Sequence, residues 1–381
     1  MYYERLLNLQ VLIKQKSHFL LGPRSTGKSS LIRKTFDSSL YINLLKQDTL
    51  RDFIINPSLL RERVAAIKLK PRDLVIIDEI QKIPKLLDEV HLLIEEEGLV
   101  FLLTGSSARK LKKGAANLLA GRAWMANLFP LLSSEITDFD LLRYLNYGGL
   151  PQVYTSSHPL KELKNYINLY IKEEIQEEGF TRKLDQFLIF FESIGIMSGE
   201  ELNYQGWSSD TGVPRKTLQS YVELLQDTLM AFELPSFKKT VNRKAVSRSK
   251  FYLFDVGVAN HMAKKGEIKE GSTEFGKAFE HFFIQECRAL ISYLELDWKL
   301  TYWRSHSQME VDLCLGQEWA LEIKSSKRVT EKHLKGLRAL REENLFENYG
   351  VICLEKEKRI VDGITIWPWR SFLKEVLLIK L

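Results

Sequence analysis

The stretch H-F-L-L-G-P-R-S-T-G-K-S-S, His18 to Ser30, decides how the chain is read. A short apolar run, Phe19, Leu20 and Leu21, stops at Gly22, and Gly27, Lys28 and Ser29 follow before a helix-compatible run from Ser30. This is the G-x-x-x-x-G-K-[ST] phosphate loop in its required place, between a strand and a helix. Its glycines let successive N–H groups turn inward as a nest for phosphate oxygens, and the dipole of the next helix adds positive potential there. Gly22, Pro23, Arg24, Ser25, Thr26, Gly27, Lys28, Ser29 and Ser30 are therefore expected to cradle a nucleoside triphosphate. Lys28 is expected to reach the outer phosphates, and the Ser29 hydroxyl to bind Mg²⁺.

Downstream lies P-R-D-L-V-I-I-D-E-I, in which residues 74–77 are continuously apolar, as in a strand covered on both faces of a parallel sheet. Asp78 and Glu79 stand where it ends, the edge at which open α/β sheets bind ligands. Asp78 is expected to hold Mg²⁺ and Glu79 to polarise the attacking water. Another apolar strand, residues 99–103, runs into Thr104-Gly105-Ser106-Ser107. Thr104 and Ser106 either sense the γ-phosphate from the neighbouring strand end or form a polar turn capping a helix. In L-L-A-G-R-A-W-M, Arg122 follows a glycine, and its guanidinium could stabilise a transferring phosphoryl group or be a surface charge. A leading helix is expected over residues 3–13, a strand over 40–43, and helix over 50–69 with a break at Asn56-Pro57.

G-P-R-S-T-G-K-S, L-V-I-I-D-E-I-Q-K-I-P, L-L-T-G-S-S and L-A-G-R resemble the ATPase half of a family of prokaryotic AAA-type P-loop proteins. In that family a C-terminal domain of unknown function, with a winged helix and a PD-(D/E)xK nuclease-like fold, follows the ATPase. The resemblance covers nearly the whole chain. It implies ATP rather than GTP, a catalytic role for Glu79, and an arginine finger at Arg122 acting in its own or a neighbouring subunit. Homo-oligomer formation stays open, because a second sensor arginine is not evident.

The whole chain sets bounds. Its 381 residues leave room for two to four domains, and 45% apolar with 27% charged residues describe an ordinary globular protein. No run approaches the roughly 18 apolar residues of a membrane span. The start, M-Y-Y-E-R, lacks signal-peptide order, and three scattered cysteines show no zinc or disulfide spacing, so a reducing cytoplasm is expected. A net charge of +6 permits nucleic-acid contact without requiring it.

Residues 131–183 are helical in character, broken at Gly148-Gly149 and Pro151; Y-G-G-L-P matches the same family, and residues 172–178 read as a solvated charged face. From 185 to 255 three helices and a strand pair can be drawn: 187–196, a short one at 199–205, a turn at 207–211, a helix from Val213-Pro214 to Thr228, and strands at 232–237 and 250–254. The intervening K-K-T-V-N-R-K-A-V-S-R-S-K holds Lys238, Lys239, Arg243, Lys244, Arg248 and Lys250 and no acid. A basic wing beside a recognition helix suits a DNA or RNA backbone; it suits a solvated turn or a domain contact equally.

In Q-M-E-V-D-L-C-L-G-Q-E-W-A-L-E-I-K, residues 308–324, period-two alternation on both sides of Gly316-Gln317 argues for a hairpin with one apolar face. On its other face Asp312, Glu322 and Lys324 can converge. This trio resembles the PD-(D/E)xK core, with Glu280 in F-G-K-A-F-E-H-F-F-I as the acid of its first helix. The resemblance implies Mg²⁺ or Mn²⁺ on Glu280, Asp312 and Glu322, with Lys324 orienting water or stabilising charge. Later elements are expected at 333–341, 349–354 and 364–367.

The expected class is α/β: a parallel-sheet P-loop core (1–130), a helical connector (131–184), a winged helix (185–255) and a small restriction-endonuclease-like α/β domain (256–381). The expected function is ATP hydrolysis coupled to action on nucleic acid, with the last site either cutting or only binding.

Overall fold

Val75, Ile76 and Ile77 are each at most 1% exposed, because their strand lies inside a sheet with neighbours on both sides. The computed structural model describes residues 2–36, 40–107, 119, 121–177, 184–241 and 243–380. It divides into two compact units, Met1–Leu131 with Leu224–Met230, and Leu132–Glu223 with Ala231–Leu381.

The first unit is built on β1 (Ser17–Leu21), β2 (Leu40–Asn43), β3 (Leu74–Asp78), β4 (Val100–Gly105) and β5 (Ala123–Asn127), in the order β2-β3-β4-β1-β5, all parallel. Phe19, Leu21, Ile42, Val75, Ile77, Phe101 and Leu103 form its core with the helices Leu59–Ile67 and Leu86–Glu97. The leading helix is shorter than expected, Leu9–Gln15, because Asn8 caps it by accepting from Val11 N. The break at Asn56-Pro57 separates helices Gln47–Ile55 and Leu59–Ile67. β4 runs two residues past its expected end, so Thr104 belongs to the strand and is not a turn cap. β5 was not anticipated: it is an edge strand in which Trp124 and Met125 are exposed, and its apolar run, Ala123 to Ala126, is too short to tell strand from helix.

In the second unit the helices Leu141–Tyr147, Pro151–Thr155 and Pro159–Glu177 come first. The side chains of residues 172–178, and Ala120 of the L-A-G-R stretch, lie outside the described residues. Y-G-G-L-P has a packing role. Asp255 accepts from Gly149 N at 2.8 Å and from Val258 N at 3.0 Å, capping the helix Val256–Met262. Helices Leu184–Met197, Tyr204–Thr211 and Arg215–Asp227 follow, then the antiparallel pair β6 (Ala231–Leu234) and β7 (Lys250–Leu253). The second of these helices corrects two expectations. Residues 199–205 are mostly not helical and 207–211 are helix rather than turn, because Asn203 caps there and Trp207 is buried.

The last sheet has the order β12-β13-β11-β10-β9-β8, from β8 (Leu300–Arg304), β9 (Glu310–Leu315), β10 (Trp319–Ile323), β11 (Asn348–Cys353), β12 (Arg359–Val361) and β13 (Ile364–Pro368). β10, β11 and β13 are parallel, and the remaining pairs are antiparallel. The long helix Thr273–Tyr293 and the shorter Lys335–Arg341 pack with this sheet. The hairpin β9–β10 therefore does not have one wet face: Asp312 and Cys314 are buried along with Val311 and Leu313. Among the described residues no helix is long and apolar enough to cross a membrane.

Burial also sets a pH dependence. Glu286, inside the helix Thr273–Tyr293, accepts from Ser133 N at 2.9 Å and Ser133 Oγ at 2.7 Å, and burial pushes its pKa up to about 8. The folded chain thus keeps a proton that the unfolded chain releases near the usual glutamate value of 4.5, so stability falls as pH rises from there to about 8. The thermal midpoint should drop between pH 6.5 and 8, and Glu286→Gln, which retains both contacts, should flatten that drop in a melting series.

Candidate functional site: a phosphate loop and a buried acid–lysine centre

β1 ends at Leu21, and the helix Lys28–Thr35 begins directly after Gly27, whose φ of 98° is left-handed. Gly22 is required by close approach: a Cβ there would sit 2.4 Å from the Leu128 carbonyl oxygen. Thr26 Oγ1 donates to Pro23 O at 2.9 Å, and the Lys28 ammonium donates to Gly22 O at 2.6 Å and Pro23 O at 3.0 Å. Lys28 thus crosses the loop that Pro23, Arg24 and Ser25 build, buried at the root of the helix. Ser30 lies inside that helix, two residues after Lys28.

Across from the loop, β3 ends on Asp78. Its Oδ2 accepts from Ser29 Oγ at 3.1 Å and from Tyr41 of β2, and its Oδ1 accepts from Thr104 Oγ1. Thr104 Oγ1 in turn accepts from Glu79 N at 3.0 Å. Glu79 sits at φ 64°, ψ 45°, a conformation that costs a non-glycine residue free energy and is found at functional sites. Gln81 Nε2 donates to the Glu79 carboxylate and, at 3.2 Å, to Ser106 Oγ. Thr104 and Ser106 therefore both join the network of the two acids. Ser29 and Asp78 already share a hydrogen bond at a helix N-terminus, so this pair fits a Mg²⁺ ligand set; the ion would neutralise phosphate charge there.

Three residues of this site escaped the sequence. Tyr41 is half-buried against Asp78, and burial followed by that hydrogen bond raises its pKa. Gln81 was legible only as the fourth letter of D-E-I-Q. Arg5 donates to Thr26 O at 2.8 Å and to Phe129 O at 2.7 Å, tying the loop to the chain that leaves β5. Arg5→Ala should cost about 2 kcal/mol of stability and weaken ATP binding, whereas Arg5→Lys should recover only part, since an ammonium cannot bridge both carbonyls in the same fork; melting and ATP titration check this.

Arg122 does not approach the phosphate loop of its own chain. It immediately precedes Ala123, which pairs with Ser17 at the start of β1, whereas the loop leaves the other end of β1. Five residues of strand separate the two edges, roughly 16 Å at 3.3 Å per residue. The Arg122 guanidinium is ion-paired with Glu95 at 2.5 Å.

In the second unit Asp312 of β9 and Glu322 and Lys324 at the end of β10 do converge. Lys324 Nζ lies 3.1 Å from Asp312 Oδ2 and 2.7 Å from Glu322 Oε1, and Ile323 N donates to the same Asp312 oxygen at 2.7 Å. Glu280 joins them through a residue not anticipated there, Lys250, whose Nζ lies 3.1 Å from Glu280 Oε1 and 2.7 Å from Glu310 Oε1. Tyr252 OH donates to that Glu280 oxygen at 2.8 Å. Burial, then the Asp312 charge, pushes the Glu322 pKa well up. Burial opposes the Lys250 charge, but Glu280 and the groups around it outweigh it and hold the ammonium well above its usual pKa. The carboxylates are thus met by ammonium groups, and among the described residues no three His, Cys, Asp or Glu side chains gather as a metal set. As arranged, Glu280, Asp312 and Glu322 do not fit a divalent ion.

Part of the basic stretch is engaged within the fold. Phe237 N donates to Tyr302 O, Val246 N to Arg304 O and His306 N to Lys244 O, so the stretch meets β8 and the residues just after it near both of its ends. Arg243 pairs with Glu342 at 2.6 Å and its backbone N–H donates to Glu343. Lys250 is 6% exposed. A free basic wing is therefore corrected to a segment docked on the last sheet, with Lys238, Lys239, Lys244 and Arg248 still exposed.

Residues 138–269 match a family model described as a domain of unknown function (DUF8612), and residues 275–372 another (DUF4143). An uncharacterized protein of Mycobacterium tuberculosis is 23% identical over 329 residues, covering 80% of this chain and 69% of that one. An uncharacterized protein of Methanocaldococcus jannaschii is 22% identical over 409 residues, covering 94% and 89%. Among solved structures, the Aeropyrum pernix ORC2 protein aligns with a TM-score of 0.41 at 14% identity over 67% of this chain and 90% of that one. A point variant of Thermotoga maritima RuvB aligns with 0.28 at 16% identity over 60% and 87%. Residues 14–137 match the family model described as an AAA domain, which together with the parallel sheet and the phosphate loop supports a P-loop ATPase of AAA type for this part of the chain.

Proposed function

We propose that the chain is an ATP-hydrolysing switch that acts on nucleic acid, and that its C-terminal acid–lysine centre binds or braces rather than cuts. The observation that carries the first half is Asp78, held by Ser29, Tyr41 and Thr104 facing the phosphate loop with Glu79 next to it in a strained conformation. In this reading loop N–H groups and Lys28 hold the phosphates, Ser29 and Asp78 hold Mg²⁺, and Glu79 takes the proton of the attacking water. Lys28 must leave the Gly22 and Pro23 carbonyls to do so. Arg122, at the far edge of its own sheet, serves as an arginine finger only for a neighbouring copy, which makes the active form an oligomer.

The second half rests on Lys324, which already bridges both acids that a nuclease would need for its ion. Nucleic acid is assigned to the exposed Lys238, Lys239, Lys244 and Arg248, through backbone phosphates and hence with strong salt dependence. The AAA-type cytoplasmic switch is tested by ATP and GTP titrations with Mg²⁺ on the parent and Lys28→Ala. Preferential ATP binding that the variant loses supports it; binding that is indifferent to Lys28 overturns it.

A further inference from the structure

The helix Pro159–Glu177 sets Leu160, Lys164 and Ile167 on one stripe, at i, i+4 and i+7, and the helix Leu184–Met197 does the same for Leu188, Phe191 and Glu192. Both pack on the helix Val256–Met262, and between them opens a cleft of about 600 Å³ whose remaining wall is the end of that helix, from His261 to Lys265. Its floor is apolar, for Ile167, Phe191 and Met262 are buried. Its rim is apolar as well: Leu160 is 57% and Leu188 40% exposed, one on each helix, where a solvated helix face carries polar residues.

The charges at this cleft are one-sided. Lys164, Lys264 and Lys265 line it with His261, against one carboxylate, Glu192. Lys264 Nζ lies 3.8 Å from Glu192 Oε2, and both side chains are well exposed. Lys265 donates to Asn260 Oδ1 at 3.5 Å, and among the described residues neither it nor Lys164 has an ion pair. Burial, then the Lys164 charge, pushes the His261 pKa down. Burial, then Lys277, pushes that of Lys265 down against the opposing pull of Glu274 and Glu200. Positive charge is thus crowded beside apolar surface, where a lower dielectric strengthens its attraction for an acid.

We propose that this cleft docks an acidic amphipathic helix of a partner protein. Apolar side chains one turn apart on that helix lie between Leu160 and Leu188, the helix-in-groove mode, and its carboxylates meet Lys164 and Lys265. A basic partner is repelled by the three lysines, and a nucleic-acid backbone brings no apolar side chain to cover the two leucines. The inference goes beyond the ATP-driven switch and does not depend on it.

The test pans a displayed library of random peptides, about four helical turns long, on the full chain and measures the enriched peptides by fluorescence anisotropy. Enrichment of Asp and Glu together with Leu, Ile, Phe or Met three or four residues apart is expected. Leu188→Asp should abolish their binding, and Lys164→Glu/Lys265→Glu should weaken it at least about tenfold. Changing the acids of one such peptide to lysine should restore binding to the charge-reversed chain and not to the parent. Melting curves check that the variants fold; where one does not, Lys164→Ala alone should still weaken binding and flatten its salt dependence. Enriched peptides that are basic, that lack the apolar spacing or that ignore these substitutions overturn the inference, as does panning without enrichment. Self-association of the parent that Leu188→Asp abolishes would give the cleft to a second copy and overturn it too.

Discussion

Glu79→Gln is expected to reduce ATP turnover by about 10²–10⁴-fold, the range for removing a positioned general base, while ATP binding persists. The substitution keeps the shape of the side chain. Its amide oxygen can still accept from Gln81, and Glu79 N can still donate to Thr104. What it loses is the ability to take a proton. The left-handed backbone at φ 64° aims this residue, so Glu79→Ala is a poorer probe, since it also removes the Gln81 contact. Single-turnover hydrolysis beside nucleotide titration separates the two effects: a fall in rate with unchanged affinity fits the role, and parallel falls in both would assign Glu79 to binding instead.

Gly257→Ala should be the most damaging small change in the second unit. A Cβ at Gly257 would lie 2.1 Å from the Tyr147 carbonyl carbon and 2.4 Å from Gly148 N, both backbone atoms that cannot step aside. Neighbouring Gly148 has φ +79°, and a Cβ there would meet Asp255 Oδ1 at 1.9 Å. The end of one helix and the start of another are thus in direct backbone contact, with Asp255 bonding both. Separating them costs more than about 2 kcal/mol and should lower the melting temperature sharply or prevent folding. Gly276→Ala is the control. It lies in the helix Thr273–Tyr293, where a Cβ would make an ordinary 3.4 Å contact with Ser325 Oγ, so the change should be neutral or stabilise by about 0.5–1 kcal/mol. Chemical denaturation of the two variants distinguishes packing from propensity.

The features legible in the sequence were those whose chemistry needs residues close together along the chain. The phosphate loop is one local turn, and Asp78-Glu79 ends a strand whose unbroken apolar run announces burial on both faces. Period two over residues 308–324 located β9 and β10, and with them Asp312, Glu322 and Lys324. What stayed hidden depends on contacts between distant segments. Tyr41 becomes a partner of Asp78 only because β2 and β3 pair in parallel, and Arg5 meets Thr26 only once the fold closes. Lys250 read as the last charge of a basic run; its pairing with Glu280 and Glu310 follows from the docking of that run on β8. β5 failed for a different reason. Its apolar run, Ala123 to Ala126, is short and stops at Asn127, and such a run cannot be told from a piece of helix by periodicity alone.

Arg122 stands at the opposite edge of its own sheet from the phosphate loop. On the proposed reading, in which a neighbouring copy supplies it, its contribution to hydrolysis should depend on protein concentration. Arg122→Ala should lower turnover without affecting the ATP affinity of the isolated chain, which a dilution series of hydrolysis rates beside nucleotide titration checks.

The most direct test incubates the parent with mixed single- and double-stranded DNA and RNA in Mn²⁺, with and without ATP, and follows phosphate release and strand cleavage in the same tubes. Phosphate release from ATP with every strand left intact is the predicted result. Strand cleavage that disappears in Asp312→Ala, or an absence of ATP hydrolysis by the folded parent, would contradict it.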